Sequence, residues 1–404
     1  MDIFITPFDK VLMCYLSHSN PEPSIVLNML HSGANVNCRD MLINSPLHYV
    51  LKYCSDKFSI VQMLLEYGAN PNIINADRNS VLHLAIKYCE DSEIKVIQEL
   101  LNYGASVHVR DHLDNSPLHL AVNTHKEAMV KLLLQTNSDI NLRNWSGETP
   151  LVCAVKKDFV CAVKELLLHG AVVSISTDNG STPLHVAVKK SSPNLDIIIE
   201  LMKYDADIFQ LDSKLNSPLF LAVKRYYRKP IETLHLAKTL LKFDALQKCY
   251  RNKGFKCLDE LKNFDVFSEL TTFYQACISE VSRMKSELIQ SNLSILECSV
   301  KTLKDSNIVP GSLLQKELTM QQVFCISAHF PIYRAVIASC LCKTDLQNLL
   351  LDLNIFANKD WVDGSLQTIT LNGDLTYIIS FYLSKVDILN LIIAFYASHD
   401  TERV

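Results

Sequence analysis

Four histidines recur along the first half of the chain at an almost constant interval. They are His48, His83, His119 and His185, and each follows a serine or threonine by three residues. An imidazole can ligate a metal ion or move a proton near neutral pH. A zinc site needs about four ligands that converge on one point, and no carboxylate or thiol recurs beside these histidines at a ligand spacing. We therefore predict no metal site, and we expect each ring to join neighbouring turns through both of its nitrogens.

The cysteines and the remaining motifs do not indicate an enzyme either. The sequence contains 13 cysteines, an odd number, without regular spacing and without a CxxC pair. This usage is typical of buried thiols in a reducing compartment. The sequence also has no P-loop, dinucleotide-binding glycine fingerprint, HExxH or GxSxG. We predict that the protein is not an enzyme and has no catalytic residues and no cofactor.

The composition describes a folded protein without a nucleic-acid or membrane partner. Of the 404 residues, 48% are hydrophobic and 20% are charged, which provides ample apolar surface to offset chain entropy. The formal net charge of −4 does not favour a nucleic acid or an anionic membrane. The most apolar stretch, 375–397, is interrupted by Lys385, Asp387 and Asn390, which a bilayer would exclude. Since the start is acidic and lacks the basic segment of a signal peptide, we expect a cytoplasmic protein.

A tetrapeptide of the form Ser/Thr-Pro-Leu-His indicates that the first half is built from repeats. It begins at Ser45, Ser116 and Thr182, and altered copies begin at Thr6, Ser80, Thr149 and Ser217. From Ser45 onward the interval is about 33 to 36 residues. A second marker keeps the same phase, because an apolar run in each unit is followed by a Gly-Ala pair or a substitute. The pairs begin at Gly33, Gly68, Gly104 and Gly170, and the substitutes begin at Asn137, Asp205 and Asp244.

Each unit has the chemistry of two short helices joined by tight turns. The Ser or Thr hydroxyl caps the first helix by accepting a backbone N–H, and Pro fits the first helical position. Gly after the second helix adopts the left-handed conformation that ends it, a role that Asn137 can take and that suits Asp205 and Asp244 less well. The pattern resembles the ankyrin repeat, whose signature is Thr-Pro-Leu-His-x-Ala at a period of about 33 residues.

The resemblance implies an all-α ankyrin-repeat solenoid of about seven repeats over residues 1–247, followed by a C-terminal helical domain. The first unit, lengthened by an insertion at 17–23, is expected to be an atypical N-terminal cap. We expect residues 248–300 to form a helical connector docked on the last repeat, because no Gly-, Ser- or Pro-rich linker separates them from the repeats. Residues 301–404 are predicted to form the second domain.

The turn tips are candidates for a partner-binding surface. Solenoids present a long concave surface made of turn tips and first helices. The candidate tip residues differ in every unit: Met41, Asp77, His112, Trp145, Asn179 and Lys214. Varied side chains on a constant scaffold suit recognition, and Met41 or Trp145 would be a suitable anchor. Loop residues that are merely tolerated would show the same variation.

A lysine recurs seven residues after the cap in five of six units. These lysines are Lys52, Lys87, Lys156, Lys189 and Lys224, and Asn123 is the exception. One explanation is that a cation at the end of a helix complements the helix dipole, which stabilises it by about 0.3–1 kcal/mol. The other is a basic ridge on the stacked helices that attracts an acidic segment of a partner.

The C-terminal region contains a pattern of two apolar helices at 371–397. Leu371, Leu375, Ile378, Ile379 and Leu383 lie on one helical stripe, and Ser384 or Asp387 can begin a second helix that includes Ile388 and Leu391. The pattern resembles the F-box, which runs Leu-Pro-x-Glu-Ile, then Ile-Leu-x-x-Leu, then Ser-x-x-Asp-Leu. Asn372 replaces the proline, and Asp374 is the acidic residue.

The order of these parts resembles the poxvirus ankyrin proteins, whose C-terminal domain is called PRANC. The segments 278–285 and 330–333 are also similar to that family's tail, and some parasitoid-wasp proteins have a similar arrangement. The resemblance implies an adaptor whose repeats capture a host protein. The Skp-type linker of a cullin ubiquitin ligase would then bind Leu371, Leu375, Ile378, Ile379, Leu383, Asp387 and Leu391.

Two other functions fit the same sequence. The chain could mask a host transcription or signalling factor, as the NF-kappaB inhibitors do with ankyrin repeats, or its tail could only cap the solenoid. The adaptor requires the apolar stripe at Leu375 and Ile379, whereas a masking protein does not.

Overall fold

The computed structural model describes most of the first half of the chain and parts of the second. The described residues are 6–18, 20–224, 230–251, 258, 262, 266–286, 288–290, 293–296, 330, 332–333, 355–356 and 368–369. The chain divides into two compact units, Met1–Arg225 and Tyr226–Val404. The first unit ends before the boundary predicted at residue 247, which stays a prediction together with the one at 300.

The first helix of each repeat begins directly after the recurring serine or threonine. These helices are α1 (Pro7–Leu16), α3 (Pro46–Tyr53), α5 (Val81–Tyr88), α7 (Pro117–Asn123), α9 (Pro150–Lys156), α11 (Pro183–Lys189) and α13 (Pro218–Lys224). In the repeats other than that of Ser45, the cap hydroxyl accepts the N–H of the third residue that follows, as Ser217 does from Phe220 at 3.1 Å. Such a bond satisfies one of the N–H groups that a helix leaves free at its start.

The second helices form a separate layer. They are α2 (Pro23–His31), α4 (Lys57–Glu66), α6 (Ile94–Asn102), α8 (Glu127–Leu134), α10 (Val160–Leu168) and α12 (Leu195–Lys203), and a 3₁₀ turn (Asp91–Glu93) precedes α6. Helices of each layer pack against the next helix of the same layer. Fully buried leucines such as Leu47, Leu51 and Leu64 fill the space between the layers. Each contributes roughly 1.5–3 kcal/mol by leaving water. The two stacked layers of helices form the predicted all-α solenoid.

The second helices end as predicted at the Gly-Ala pairs but not at every substitute. Gly68 has φ +82°, a left-handed conformation, and Asp205 adopts φ +66° at the equivalent position. Asn137 does not adopt a positive φ, because the hydroxyl of Thr136 instead donates to the carbonyl of Leu133 at 2.6 Å and satisfies the helix end. Asp244 lies inside a long helix, so the prediction that it ends one is wrong.

The second unit contains two long helices and short strands. Helix α14 (Pro230–Tyr250) packs against α15 (Phe267–Ser286). Strand β1 (Leu288–Gln290) pairs antiparallel with β2 (Leu293–Ser294), and β3 (Ile355–Phe356) with β4 (Thr368–Ile369). Residues 248–300 were expected to form a helical connector, whereas 288–290 and 293–294 form short strands. Since the strands have only two or three residues, the fold class is all-α.

A segment that contains Phe330 and Tyr333 is buried against both long helices. The carboxylate of Glu280 in α15 accepts the N–H groups of Ile332 and Tyr333 at 2.9 and 3.0 Å. The hydroxyl of Tyr333 donates to the carbonyl of Lys242 in α14 at 2.6 Å. The two tail segments selected by sequence, 278–285 and 330–333, therefore contact each other.

Candidate protein-binding surface

Each turn tip is held by one polar side chain that bonds to the backbone of its own turn. Oδ1 of Asp40 accepts the N–H of Leu42 at 2.8 Å and that of Asn44 at 2.7 Å. The same pair of bonds is made by Asp111, Asn144 and Asp212. The backbone of the turn is therefore shaped without the side chains at its tip.

Neighbouring tips are also joined to each other. The N–H of Ala76 donates to the carbonyl of Leu42 at 2.8 Å, and the N–H of Trp145 donates to that of Leu113 at 3.0 Å. These bonds use only backbone atoms and fix one tip relative to the next. The tips and the first helices together form what we term the inner surface.

The residues predicted to bind a partner at the tips are all exposed on the inner surface: Met41, Asp77, His112, Trp145, Asn179 and Lys214. Met41 is 95% exposed and Trp145 is 76% exposed. Leu215, which is 78% exposed and has φ +57°, adds an apolar side chain that sequence reasoning did not select. The role of these residues in binding stays a prediction.

The four recurring histidines join neighbouring turns, as predicted. Nδ1 of His119 lies 2.8 Å from the hydroxyl of Ser116 and accepts its backbone N–H at 3.3 Å. Nε2 lies 2.9 Å from the carbonyl of Glu148 in the next repeat, so this nitrogen carries the proton. The other three rings make the equivalent contacts to Asn79, Asn115 and Asn216.

Burial lowers the pKa of all four imidazoles, to about 4 for His48. The rings are therefore neutral at neutral pH, with both nitrogens committed to hydrogen bonds inside the repeats. Within the described residues, no group of three or more His, Cys, Asp or Glu side chains is placed to hold a metal ion.

Two of the recurring lysines are paired with carboxylates, Lys156 with one in its own repeat and Lys189 with one in the next repeat. Lys156 forms an ion pair with Glu148. Lys189 donates to Oδ2 of Asp212 and to the hydroxyl of Ser181, both at 2.9 Å. Burial acts to raise the pKa of Asp212, but the Lys189 ammonium and the backbone N–H groups of its turn hold that pKa below its usual range. These two lysines offer little free charge to a partner.

The other three recurring lysines lie against aromatic rings. Nζ of Lys52 is 5.1 Å from the ring centroid of Tyr53, and Nζ of Lys87 is 5.4 Å from that of Tyr88. Lys224 lies 5.9 Å from Phe220. Such contacts contribute about 0.5–1 kcal/mol at exposed sites and leave the ammonium groups open to solvent.

Two adjoining hollows open on the inner surface beside Lys52 and Lys87. The first, about 450 Å³ in volume, is lined by Lys10, Met13, Cys14, Ser17, Cys38, Arg39, Asp40, Tyr49 and Tyr53. The second is about 180 Å³ and shares Asp40, Tyr49 and Tyr53 with the first. Its lining also includes Lys52, Asp77, Lys87 and Tyr88. We refer to the two hollows together as the tyrosine groove.

Sequence reasoning missed the tyrosine groove, although a signal was present. Tyr53 and Tyr88 both stand eight residues after their caps, and Tyr49 stands four residues after Ser45. The rings of Tyr49 and Tyr53 have centroids 5.7 Å apart, and Tyr53 is 43% exposed. Exposed aromatic side chains in a concave site are common anchors of protein partners.

Comparison with known proteins identifies the repeats. A family model described as ankyrin repeats (3 copies) matches residues 12–111, 89–177 and 157–249, which together cover more than half of the chain. The chain belongs to the ankyrin-repeat family. Its ankyrin repeats form a protein–protein interaction domain, and proteins of this kind are typically scaffolds without enzymatic activity.

Solved ankyrin-repeat structures are similar to part of the chain. The ankyrin repeat domain of Bcl-3, described as a unique member of the IkappaB protein family, is 26% identical with a TM-score of 0.47, over 57% of this chain and 98% of that one. The ankyrin repeat domain of human ASB11 is 26% identical with a TM-score of 0.44, over 54% of this chain and 91% of that one. No curated protein matches the chain.

The predicted linker-binding residues of the tail lie outside the described residues. They are Leu371, Leu375, Ile378, Ile379, Leu383, Asp387 and Leu391. None of the helices in the described part of this ankyrin-repeat protein combines the length and the hydropathy that a membrane span requires.

Proposed function

We propose that this ankyrin-repeat protein is an adaptor that captures a protein on its inner surface and brings it to a Skp-type linker of a cullin ubiquitin ligase. The observation that supports capture is the tyrosine groove, where exposed Tyr53 lines the same hollow as two basic side chains that have no ion pair within the described residues, Lys52 and Lys87. A concave site with aromatic anchors and a charged rim is the anatomy of a protein-binding surface.

The ligase arm of the proposal is supported by the F-box-like order of Leu375, Ile379 and Asp387 in the sequence. The contact of Glu280 with Ile332 and Tyr333 adds to this support, because it joins the two segments that are similar to the poxvirus PRANC tail. With that assignment the chain is a viral protein of the host cell cytoplasm, and the captured protein is a host protein that becomes ubiquitinated.

The test compares variants of the full chain expressed in cells. Leu375→Asp/Ile379→Asp places charges on the apolar stripe, and Lys52→Glu/Lys87→Glu reverses the charge beside the groove. If the protein is an adaptor, its wild-type form should co-purify with the linker and the cullin. It should lose them in the tail variant but keep them in the groove variant, which instead loses the captured protein. Circular dichroism establishes that each variant keeps its helical content.

Masking of a host factor is the second candidate, and one observation favours it. The tyrosine groove is lined entirely by residues between Lys10 and Tyr88, so capture does not require the tail. If wild type retains its captured protein but never the linker, and if the level of that protein does not depend on the proteasome, the ligase arm is contradicted and the masking function replaces it.

A further inference from the structure

We infer that the tyrosine groove binds an extended acidic segment of the captured protein, with an apolar side chain of that segment seated against Tyr49 and Tyr53. The inference rests on the proposed capture function and adds the chemistry of the partner. It does not depend on the ligase arm.

The charge around the groove is the first argument. Four basic side chains, Lys10, Arg39, Lys52 and Lys87, line the two hollows. All four are exposed, and none forms an ion pair with the described residues. This excess contrasts with Lys156 and Lys189 further along the inner surface, whose charges are neutralised by Glu148 and Asp212. The basic side chains of the groove are therefore less neutralised than Lys156 and Lys189.

Two carboxylates in the lining, Asp40 and Asp77, offset part of this charge. Asp40 is committed to the turn, because its oxygens accept the N–H groups of Leu42 and Asn44 and the hydroxyl of Tyr49, the last at 3.0 Å. Asp77 is exposed at the neighbouring tip. The pKa of Lys52 is raised first by the hydrogen bond with Tyr53, and the charge of Asp77 adds a smaller contribution. Asp77 therefore weakens the attraction for an acidic segment without removing it.

The helices beneath the tyrosine groove favour an extended segment over a folded surface as the ligand. The groove runs across three first helices, α1, α3 and α5, whose axes are about 8–10 Å apart in packed helices. A span of about 20 Å matches about six residues of extended chain at about 3.3 Å per residue. The larger hollow, about 450 Å³ and partly walled by Met13, Tyr49 and Tyr53, has room for a leucine- or phenylalanine-sized side chain.

A random dodecapeptide phage library selected on the full chain tests this assignment. The selected sequences should be rich in Asp and Glu around one apolar residue. Binding of a selected peptide, measured by fluorescence anisotropy, should fall at least about tenfold in Lys52→Glu/Lys87→Glu and should weaken steeply with added salt. Tyr53→Ala should also weaken it, and Asp77→Asn should strengthen it about twofold.

The matched control reverses two exposed lysines on second helices, Lys95→Glu/Lys164→Glu, which changes the net charge equally but leaves the groove intact. Binding should stay within about twofold of wild type. A second control reverses the charge of the peptide. Exchange of its acidic residues for lysine should restore binding to the variant Lys52→Glu/Lys87→Glu. Circular dichroism checks that each variant is folded.

Three outcomes would overturn the inference: no peptide is selected, the selected peptides are not acidic, or the two pairs of lysine variants weaken binding equally. Since all of the substitutions lie in the first unit, which does not contain the predicted linker-binding residues, these outcomes are independent of linker binding. If the linker does not co-purify with the wild-type chain, that result contradicts the adaptor function but not the binding of an acidic segment.

Discussion

Nε2 of His119 donates its proton to the carbonyl oxygen of Glu148, 2.9 Å away in the next repeat. The other nitrogen of the ring accepts the backbone N–H of Ser116 in its own repeat. A single neutral side chain therefore joins the cap of one first helix to the turn that precedes the next. This relationship gives the first prediction.

Replacement of His119 by alanine should lower the free energy of unfolding by about 1–3 kcal/mol. It leaves the buried N–H of Ser116 without an acceptor, and it removes one of the two hydrogen bonds to the carbonyl of Glu148, which also accepts the N–H of Asn144. Urea denaturation followed by circular dichroism measures the change. His112, exposed at the tip of the same repeat, is the control, and His112→Ala should change stability by less than about 0.5 kcal/mol. Equal effects of the two substitutions would mean that the inter-repeat bond is not what holds the turns.

The four buried imidazoles also predict how stability depends on pH. In the unfolded chain they bind protons below a pH of about 6.5, whereas burial lowers the folded pKa, to about 4 for His48. Between these values the unfolded state binds more protons. The contribution of the histidines to the free energy of unfolding should thus be constant above pH 7. It should fall from about pH 6.5 toward pH 4, by up to about 1.4 kcal/mol per pH unit for each histidine.

Urea titrations at about pH 7.5, 6 and 5 measure how the free energy of unfolding depends on pH. A His119→Gln variant should have a smaller slope than wild type, since one titrating ring has been removed. A urea midpoint that does not change over this pH range would contradict the hydrogen-bonding state assigned to the histidines.

Leu215 adopts φ +57° at the turn position where other repeats have Gly147 and Gly180. A left-handed conformation costs a non-glycine residue about 1–2 kcal/mol, which glycine avoids. Glycine in turn costs about 0.5–1 kcal/mol because it gives the unfolded chain more entropy. Leu215→Gly should therefore stabilise the protein by up to about 1 kcal/mol, measured as a shift in thermal midpoint.

The opposite change at the preceding turn is the control for Leu215. In Gly180→Ala the added Cβ would lie 2.7 Å from the backbone nitrogen of Ser213, so this variant should be destabilised by about 1 kcal/mol or more. If Leu215→Gly lowers the midpoint instead, packing of the leucine outweighs the backbone cost.

Tyr333→Phe removes the hydroxyl that donates to the carbonyl of Lys242. The buried carbonyl then lacks this bond, and the pair α14 and α15 should lose about 1–2 kcal/mol of stability. Hydrogen exchange of the amides in both helices should accelerate correspondingly.

Tyr250→Phe is the matched control, because no bond of the Tyr250 hydroxyl is present among the described residues. Its exchange rates should equal those of wild type. Equal acceleration in both variants would show that the hydroxyl of Tyr333 does not hold its segment on the helices.

The repeat architecture could be predicted from sequence because its signals are local. A hydroxyl before proline and a histidine three residues later determine the cap, and the structure confirms both in the His119 unit. The end of a helix is less local. Asn137 could take a left-handed conformation, but Thr136 satisfies the carbonyl of Leu133 instead.

Contacts between repeats were harder to predict. Lys126 is buried and donates to the carbonyls of Ile86 and Cys89 at the end of α5 in the preceding repeat. The cation thus complements a helix end that is distant in sequence, and no spacing within one repeat indicates this. Tyr49, Tyr53 and Tyr88 were missed for the same reason, because only stacking of α3 on α5 brings them to one groove.

The backbone bonds that join neighbouring tips, and the polar side chain that shapes each turn, do not use the side chains of Met41, Asp77 or Trp145. A mutation at one of these positions should leave the stacking of the repeats unchanged, and we expect it to alter recognition. The surface can therefore evolve one residue at a time, following a partner whose own sequence drifts or acquiring a different partner. The scaffold does not have to be stabilised again after each change.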